Sequence, residues 1–342
     1  MKAFCASSRI FFVAAAALAA SGLSGCYVSR LAWEQGKLLG SREDISEVLA
    51  KPETPPSVRE RLTDLAGILE FARECGLTPG SSYRRYIDNG DRPLSWLVYA
   101  AKPDRLESIT WWFPLVGRVP YLGFFDKKAR DEEEAALKKK GYDTARGTAT
   151  GYSLLGFLPD PVYRSMTRRS RDDFAHLIFH ELVHRTVWIE GGTTFNERLA
   201  EVLARRMTVA WLARIKDDAA IEAYKVDLAD TRTFGVWLHA LRRELEKLYV
   251  STLPPNDLVL RKAEVFAAFT GTGKPTFKGQ DRVGGRTWNN AEVLAATLYD
   301  STDFDCPLIP AEPAKLKAFM AWLGENKQRH AATSETLEKA CR

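Results

Sequence analysis

The segment His180-Glu181-Leu182-Val183-His184 places two of the chain's five histidines four residues apart, inside a run of helical pattern. On a helix such residues share a face, with Cβ atoms about 6 Å apart, so both imidazoles can reach one metal ion. Glu181 points toward the same place from the adjacent position, where it can take a proton from an attacking water. This constrains the fold strongly: the helix needs one apolar side for the core and one open side for the histidines. The alternative is a surface helix that happens to carry two histidines. His176 lies one turn earlier on the same face. Three such histidines cannot all hold one ion, because the outer pair is about 12 Å apart by helix rise. His176 therefore reads as a polar neighbour near the cleft.

Zinc that keeps one position open for water takes three protein ligands. After His184 the helical pattern runs to Glu190, where Gly191-Gly192 supplies a helix stop and a reversal. Thr193 or Thr194 can cap a second helix through Phe195-Asn196-Glu197-Arg198-Leu199-Ala200-Glu201. The two helices then meet antiparallel, and the hairpin can return Glu197 over the histidines. The ordinary alternative for Glu197 and Glu201 is an acidic helix face paired with Arg198, Arg205 and Arg206.

Asn196-Glu197-x-x-Ala200, with Glu201 one residue on, resembles the glutamate helix of gluzincin metallopeptidases. That resemblance implies Glu197 as third ligand and Glu201 as a hydrogen-bond partner of a ligating histidine. Only twelve residues, 185–196, separate His184 from Glu197, fewer than in thermolysin-like enzymes and the large aminopeptidases. Glu201 in place of Glu197 therefore stays open, with Glu190 a more remote choice. Further segments resemble a family of bacterial aminopeptidase-like lipoproteins: Glu47–Leu62, Gly80–Tyr86, Ile109–Gly117, Gly151–Gly156, Leu177–His184, Phe195–Glu197 and Trp288–Ala291. The likeness spans nearly the whole chain after residue 26. Two departures are that Trp112 and Arg118 stand where members carry cysteines, and Arg185 where members tend to carry Gln.

The first residues address the chain to the cell envelope. Lys2 and Arg9 form a positive region, Ile10 to Leu23 an apolar one too short to span a bilayer, and Leu23-Ser24-Gly25-Cys26 a lipobox. The expectation is a lipoprotein signal over residues 1–25, removed so that Cys26 carries the lipid anchor; a plain secretory signal cleaved nearby is the alternative. Tyr27 follows, with no Asp of the kind that retains lipoproteins in the inner membrane, so the periplasmic face of the outer membrane is expected. Cys5 leaves with the signal. Of Cys75, Cys306 and Cys341, the last two are the expected disulfide pair, and Cys75 reads as a small buried hydrophobe. The formal charge of +5, about +3 once Lys2 and Arg9 are removed, is too mild to argue for nucleic acid.

The rest divides by texture. Residues 28–90 are largely helical in pattern, with Pro55-Pro56 opening the helix that reaches Cys75. Residues 91–158 are β-rich: Leu94–Tyr99, then Ser108–Phe113 and Arg118–Phe124 as a hairpin about Pro114 and Gly117, a helix Lys127–Lys140 and a strand Tyr142–Thr148. The run from Asp131 to Lys140 reads as i, i+4 pairing on a solvated face, and Arg164, Arg168, Arg169 and Arg171 as a solvated loop, with a contact to a substrate carboxylate or a lipid headgroup as the alternative. Residues 170–342 are helical throughout, including a long stretch from Ala219 to Tyr249. The expected class is α+β, a small antiparallel or mixed β-sheet packed against a largely α-helical, zincin-like core, forming one metallopeptidase domain over residues 26–342.

The expected function is a zinc-dependent peptidase, an aminopeptidase by family likeness, acting on peptide in the envelope. Zinc sits on His180, His184 and Glu197, with Glu181 as general base. Gly151–Gly156 can bind substrate backbone as a sheet edge, and Tyr152 can donate to the oxyanion or simply pack at a strand end; Tyr299 and His239 are further oxyanion candidates that read first as core packing. The alternative is a lipid-anchored envelope binding or scaffold protein that keeps a non-catalytic zinc helix.

Overall fold

The computed structural model describes residues 40–90, 92–113, 117–149, 159–188, 193–298, 310 and 312–326. The signal segment, Cys26, Tyr152, Glu190, Gly191, Gly192, Tyr299, Cys306 and Cys341 lie outside these residues.

The helix that carries the histidines is built by its own sequence. Ser170 caps it by accepting from the Asp173 N–H at 3.4 Å, and Asp172 and Asp173 sit in the positive first turn. Phe174, Ile178 and Leu182, with Ala175, Phe179 and Val183, form a buried stripe along one side. His176, His180 and His184 occupy the other. The helix runs Arg171–Thr186 and stops there, four residues short of the expected Glu190. The Thr186 hydroxyl bonds back to the Leu182 carbonyl at 2.7 Å and accepts from the Thr78 N–H at 2.9 Å. Val187 is then extended, so side-chain competition for the backbone ends the helix before the glycine pair.

Numbering in chain order, α1 is Ile45–Ala50, α2 Pro56–Glu74, α3 Lys127–Lys139, α4 the motif helix, α5 Thr193–Arg214, α6 Asp218–Tyr249, α7 Pro255–Thr270, α8 Asn290–Leu298 and α9 Pro313–Asn326. The strands are β1 Glu43–Asp44, β2 Arg85–Ile87, β3 Ser95–Ala101, β4 Trp111–Phe113, β5 Gly117–Val119, β6 Tyr121–Phe124, β7 Asp143–Ala149 and β8 Val162–Tyr163. They form three small sheets, β1-β2-β8, β6-β3-β7 and the β4-β5 hairpin. The central sheet is antiparallel throughout, and β2 with β8 is parallel, so the architecture is α+β with small mixed sheets beside a helical majority.

The main core lies where α2, α4, α5 and α9 meet, with Ile68, Phe179, Leu203 and Leu323 at 0% exposure. Phe71 of α2 and Phe179 of α4 pack with ring centroids 5.9 Å apart. Each such side chain contributes about 1.5–3 kcal/mol through burial, which holds α4 rigidly on its apolar side. Cys75 caps α2 within this core at 0% exposure, and burial pushes its thiol up to about 12.

Three expectations are revised. Residues 271–289 are not helical; the Asp230 carboxylate holds this loop by accepting from the N–H groups of Lys278 at 2.8 Å and Gly279 at 2.7 Å. Of its last residues, Asn289 pins α8 to the sheet by donating to the Thr144 carbonyl at 2.9 Å, while Trp288 packs edge-on against Trp237 of α6. Glu134 is not on a solvated face. It is 4% exposed and ties α3 to β7 through Thr144 and Arg146, besides its pair with Lys138 at 2.9 Å. The arginines before α4 are not merely solvated: Arg171 bridges to Asp64 and Asp217, and Arg164 to Asp88.

Candidate metal centre

The second helix of the site, α5, buries Phe195, Leu199, Ala200 and Leu203 against α4. Residues one turn apart on its adjoining stripe, Glu197 and Glu201, are thereby set against the histidines. Glu197 Oε2 lies 3.4 Å from His180 Nε2, and Glu197 Oε1 lies 3.4 Å from His184 Nε2. The two Nε2 atoms are 3.1 Å apart. Ligand atoms about 2.0–2.1 Å from a tetrahedral zinc stand roughly 3.3–3.4 Å from one another. His180, His184 and Glu197 therefore already hold their donors close to ligand–ligand spacing, each histidine facing a different Glu197 oxygen, and one atom from each of the three lies within 4.8 Å of the others. The donor set, two imidazoles and a carboxylate, suits zinc.

A second ring of contacts lies behind this face. Glu201 Oε2 is 3.1 Å from His176 Nε2 and 3.6 Å from His180 Nδ1, while Arg205 Nε donates to Glu201 Oε1 at 2.9 Å. His176 Nδ1 is 2.6 Å from the Tyr224 hydroxyl on α6. His176, His180 and Glu201 make a second His/Glu group of metal-binding type, sharing His180 with the first. His184 is edge-on to Trp188, with centroids 5.5 Å apart, and its buried Nδ1 has no hydrogen-bond partner among the described residues.

The electrostatics follow from burial and from these neighbours. Burial works to lower the His180 pKa, but Glu197, Glu201 and the charge of Glu181 outweigh it and raise it to about 10. Burial likewise works to raise Glu197, yet His180 and His184 hold it down at about 2. Glu201 is held below the usual carboxylate range by His176, His180 and Arg205, against the effect of burial. Glu181 goes the other way. Its burial raises its pKa, opposed by His180 and His184 and assisted by Asp160 and Glu197. A carboxyl raised in this way is poised to accept a proton nearer neutral pH.

With this geometry in hand, comparison with known proteins adds one result. A family model described as "Putative aminopeptidase" matches residues 26–335. The chain belongs to that family. Neither the curated proteins nor the solved structures hold a significant match.

Among the residues singled out from sequence, the structure brings together His180, His184, Glu197, Glu201 and His176. His239 stands on α6 outside both His/Glu groups. Sequence reasoning missed Tyr224, Tyr83 and Asp160. Tyr83 is 3% exposed, has a left-handed backbone (φ 60°), and donates its N–H to the Asp160 carbonyl at 2.6 Å. Its phenol is raised well above the usual range by burial and by Glu181 and Asp160, which places it in the electrostatic surroundings of the motif glutamate. Its only sequence signal was membership of the Gly80–Tyr86 segment. Tyr224 carried none that distinguishes it from a core aromatic of an amphipathic helix.

Proposed function

We propose that the protein is a zinc-dependent peptidase, an aminopeptidase in keeping with its family, that cleaves peptides in the cell envelope. The observation that carries the reading is the convergence of His180 and His184, their Nε2 atoms 3.1 Å apart, on the Glu197 carboxylate, one oxygen 3.4 Å from each, with Glu181 on the same helix as the histidines.

A zinc ion held by His180, His184 and Glu197 would supply a Lewis acid that polarises the scissile carbonyl and acidifies water. The residues of the chain do the rest. Glu181, its pKa raised by burial, takes the proton of the attacking water and delivers it to the leaving amine. Glu197 offers one oxygen to each histidine and keeps their Nε2 atoms converged. Glu201 stands behind His180 on the Nδ1 side, so it supports rather than replaces Glu197. The short connection 185–196 accommodates this arrangement because α4 ends early, at Thr186.

Residues 26–342 form one catalytic domain in this reading, with a lipoprotein signal over 1–25 and the anchor on Cys26. The protein then works at a membrane surface, on the periplasmic face of the outer membrane, with peptide as partner and no nucleic acid. Among the described residues no helix is long and apolar enough to cross a membrane.

The test is direct: purified protein is assayed against aminoacyl-arylamides and internally quenched peptides, before and after chelation, with zinc added back. Chelator-sensitive release of the N-terminal residue, restored by zinc, is expected. Cleavage indifferent to chelation overturns the metal reading, and cleavage only within blocked peptides overturns the aminopeptidase assignment.

A further inference from the structure

The contacts behind His180 form a continuous line from α6 through α4 to α5. Tyr224 is buried at 2% exposure, and its hydroxyl meets His176 Nδ1 at 2.6 Å. His176 Nε2 meets Glu201 Oε2 at 3.1 Å, and the same oxygen faces His180 Nδ1 at 3.6 Å. The other oxygen of Glu201 is taken by Arg205 at 2.9 Å.

The donors and acceptors can be assigned from this geometry. Nε2 of His176 faces a carboxylate, which only accepts, so Nε2 carries the proton and donates. Nδ1 is then the lone-pair nitrogen and accepts from the Tyr224 O–H. Glu201 has three rotatable bonds and no fixed orientation of its own. Arg205 pins one oxygen, but a single contact leaves the carboxylate free to swing about it. His176 supplies the second contact and leaves Oε2 directed at His180 Nδ1. A carboxylate held there would favour the Nδ1–H tautomer of His180 once a metal is bound, leaving the lone pair on Nε2, for the ion, rather than on Nδ1.

We infer that His176, backed by Tyr224, is a positioning residue that sets the tautomer and ring orientation of His180 through Glu201. This rests on the reading of His180, His184 and Glu197 as the metal site. It also gives a role to the histidine one turn before the motif, which is otherwise an unexplained polar residue. The competing role, a ligand to a second ion between His176, His180 and Glu201, meets two obstacles. Arg205 already places a guanidinium on Glu201, and His180 would have to serve two ions through both ring nitrogens.

The experiment uses the full chain, with zinc stoichiometry and affinity measured by competition with a chromophoric chelator. The visible spectrum of the cobalt-substituted protein gives a second readout. His176→Leu removes the donor; His176→Gln keeps an N–H near the position of Nε2; Tyr224→Phe removes only the hydroxyl. His180→Ala is the control for the site itself. Zinc affinity is expected to fall ~10–100-fold in His176→Leu and about 2–10-fold in Tyr224→Phe. His176→Gln should bind close to the parent, and the cobalt spectrum should shift in His176→Leu and return in His176→Gln. A purely structural role would lower thermal stability without that spectral change or that rescue. If His180→Ala loses zinc while folded His176→Leu and Tyr224→Phe bind it as the parent does, the positioning role is wrong and the metal site stands. If the parent binds two ions and His176→Leu binds one, His176 is a ligand and the inference fails. If His180→Ala binds zinc like the parent, the metal site itself is misassigned and the positioning role falls with it. Should His176→Leu not fold, the Tyr224→Phe and His176→Gln arms still decide between these outcomes.

Discussion

Zinc binding by this protein should release a proton and strengthen steeply with pH, because His180 is held protonated in the metal-free site. Its pKa is raised from 6.5 to about 10 by Glu197, Glu201 and Glu181, against the opposing effect of burial. The sign for folding follows: in the metal-free chain this contributes stability that is fully present below pH 6.5 and lost as pH rises through about 10. Metal binding runs oppositely, since zinc needs the unprotonated Nε2. At pH 7 the group sits about three units below its pKa, and at about 1.4 kcal/mol per unit the displaced proton costs zinc ~4 kcal/mol, or ~10³ in affinity. Affinity should therefore rise about tenfold per pH unit above neutrality, levelling off as pH approaches 10. Calorimetry at neutral pH in buffers of differing ionisation enthalpy should count about one proton released per zinc. Glu201→Gln removes one of the groups that raise His180 and should move the steep region to lower pH. Zinc affinity that is flat between neutrality and pH 9, with no dependence of the heat on buffer, would refute the electrostatic argument even if the ligands are correct.

The two classes of acid should separate cleanly. Glu181→Gln keeps size but cannot take a proton, so peptidase turnover should fall by at least ~10² while elemental analysis finds zinc near full occupancy; intact activity would remove the general base. Glu197→Gln should lose zinc more completely than Glu201→Gln, because a neutral amide oxygen is a poorer ligand than a carboxylate whereas outer partners typically cost ~10–100-fold; the reverse order would shift the ligand by one turn. His180→Ala and His184→Ala should each fall well below one zinc per chain, and full retention in both would sink the ligand assignment. Cys26→Ser should move the protein from the membrane fraction to the soluble periplasm or block its processing; unchanged membrane association would point to a different anchor.

What the chain's own sequence determined is local. The four-residue spacing of His180 and His184 puts both imidazoles on one helix face whatever the helix packs against. Ser170, the acidic first turn and the apolar stripe from Phe174 to Val183 specify where that helix starts and which side it buries. The strands Ser95–Ala101 and Asp143–Ala149 and the hairpin of Trp111–Phe113 with Gly117–Val119 were legible for the same reason, since alternation and turn residues act over a few positions. Errors came where distant groups compete with local pattern. The Thr186 hydroxyl, tied to Thr78 across 108 residues, ends the motif helix early. Asp230 organises the loop around Lys278 and Gly279 from a different helix, and Thr144 with Arg146 draws Glu134 out of solvent.

The candidate metal centre shows the same division. Periodicity could place Glu197 and Glu201 on one face of α5, but it could not say which of them meets His180 and His184 together and which meets His176. That choice depends on the depth and rotation at which α5 seats against α4 in the core that Leu199, Leu203, Ile178 and Leu182 share, a property of packed volumes rather than of spacing. The seating puts Glu197 between the two Nε2 atoms and Glu201 behind His180. It also leaves room for Tyr224, 48 residues beyond His176, to reach that histidine from α6. A helix face is encoded one turn at a time, whereas convergence of three helices on one point is decided by the core they share.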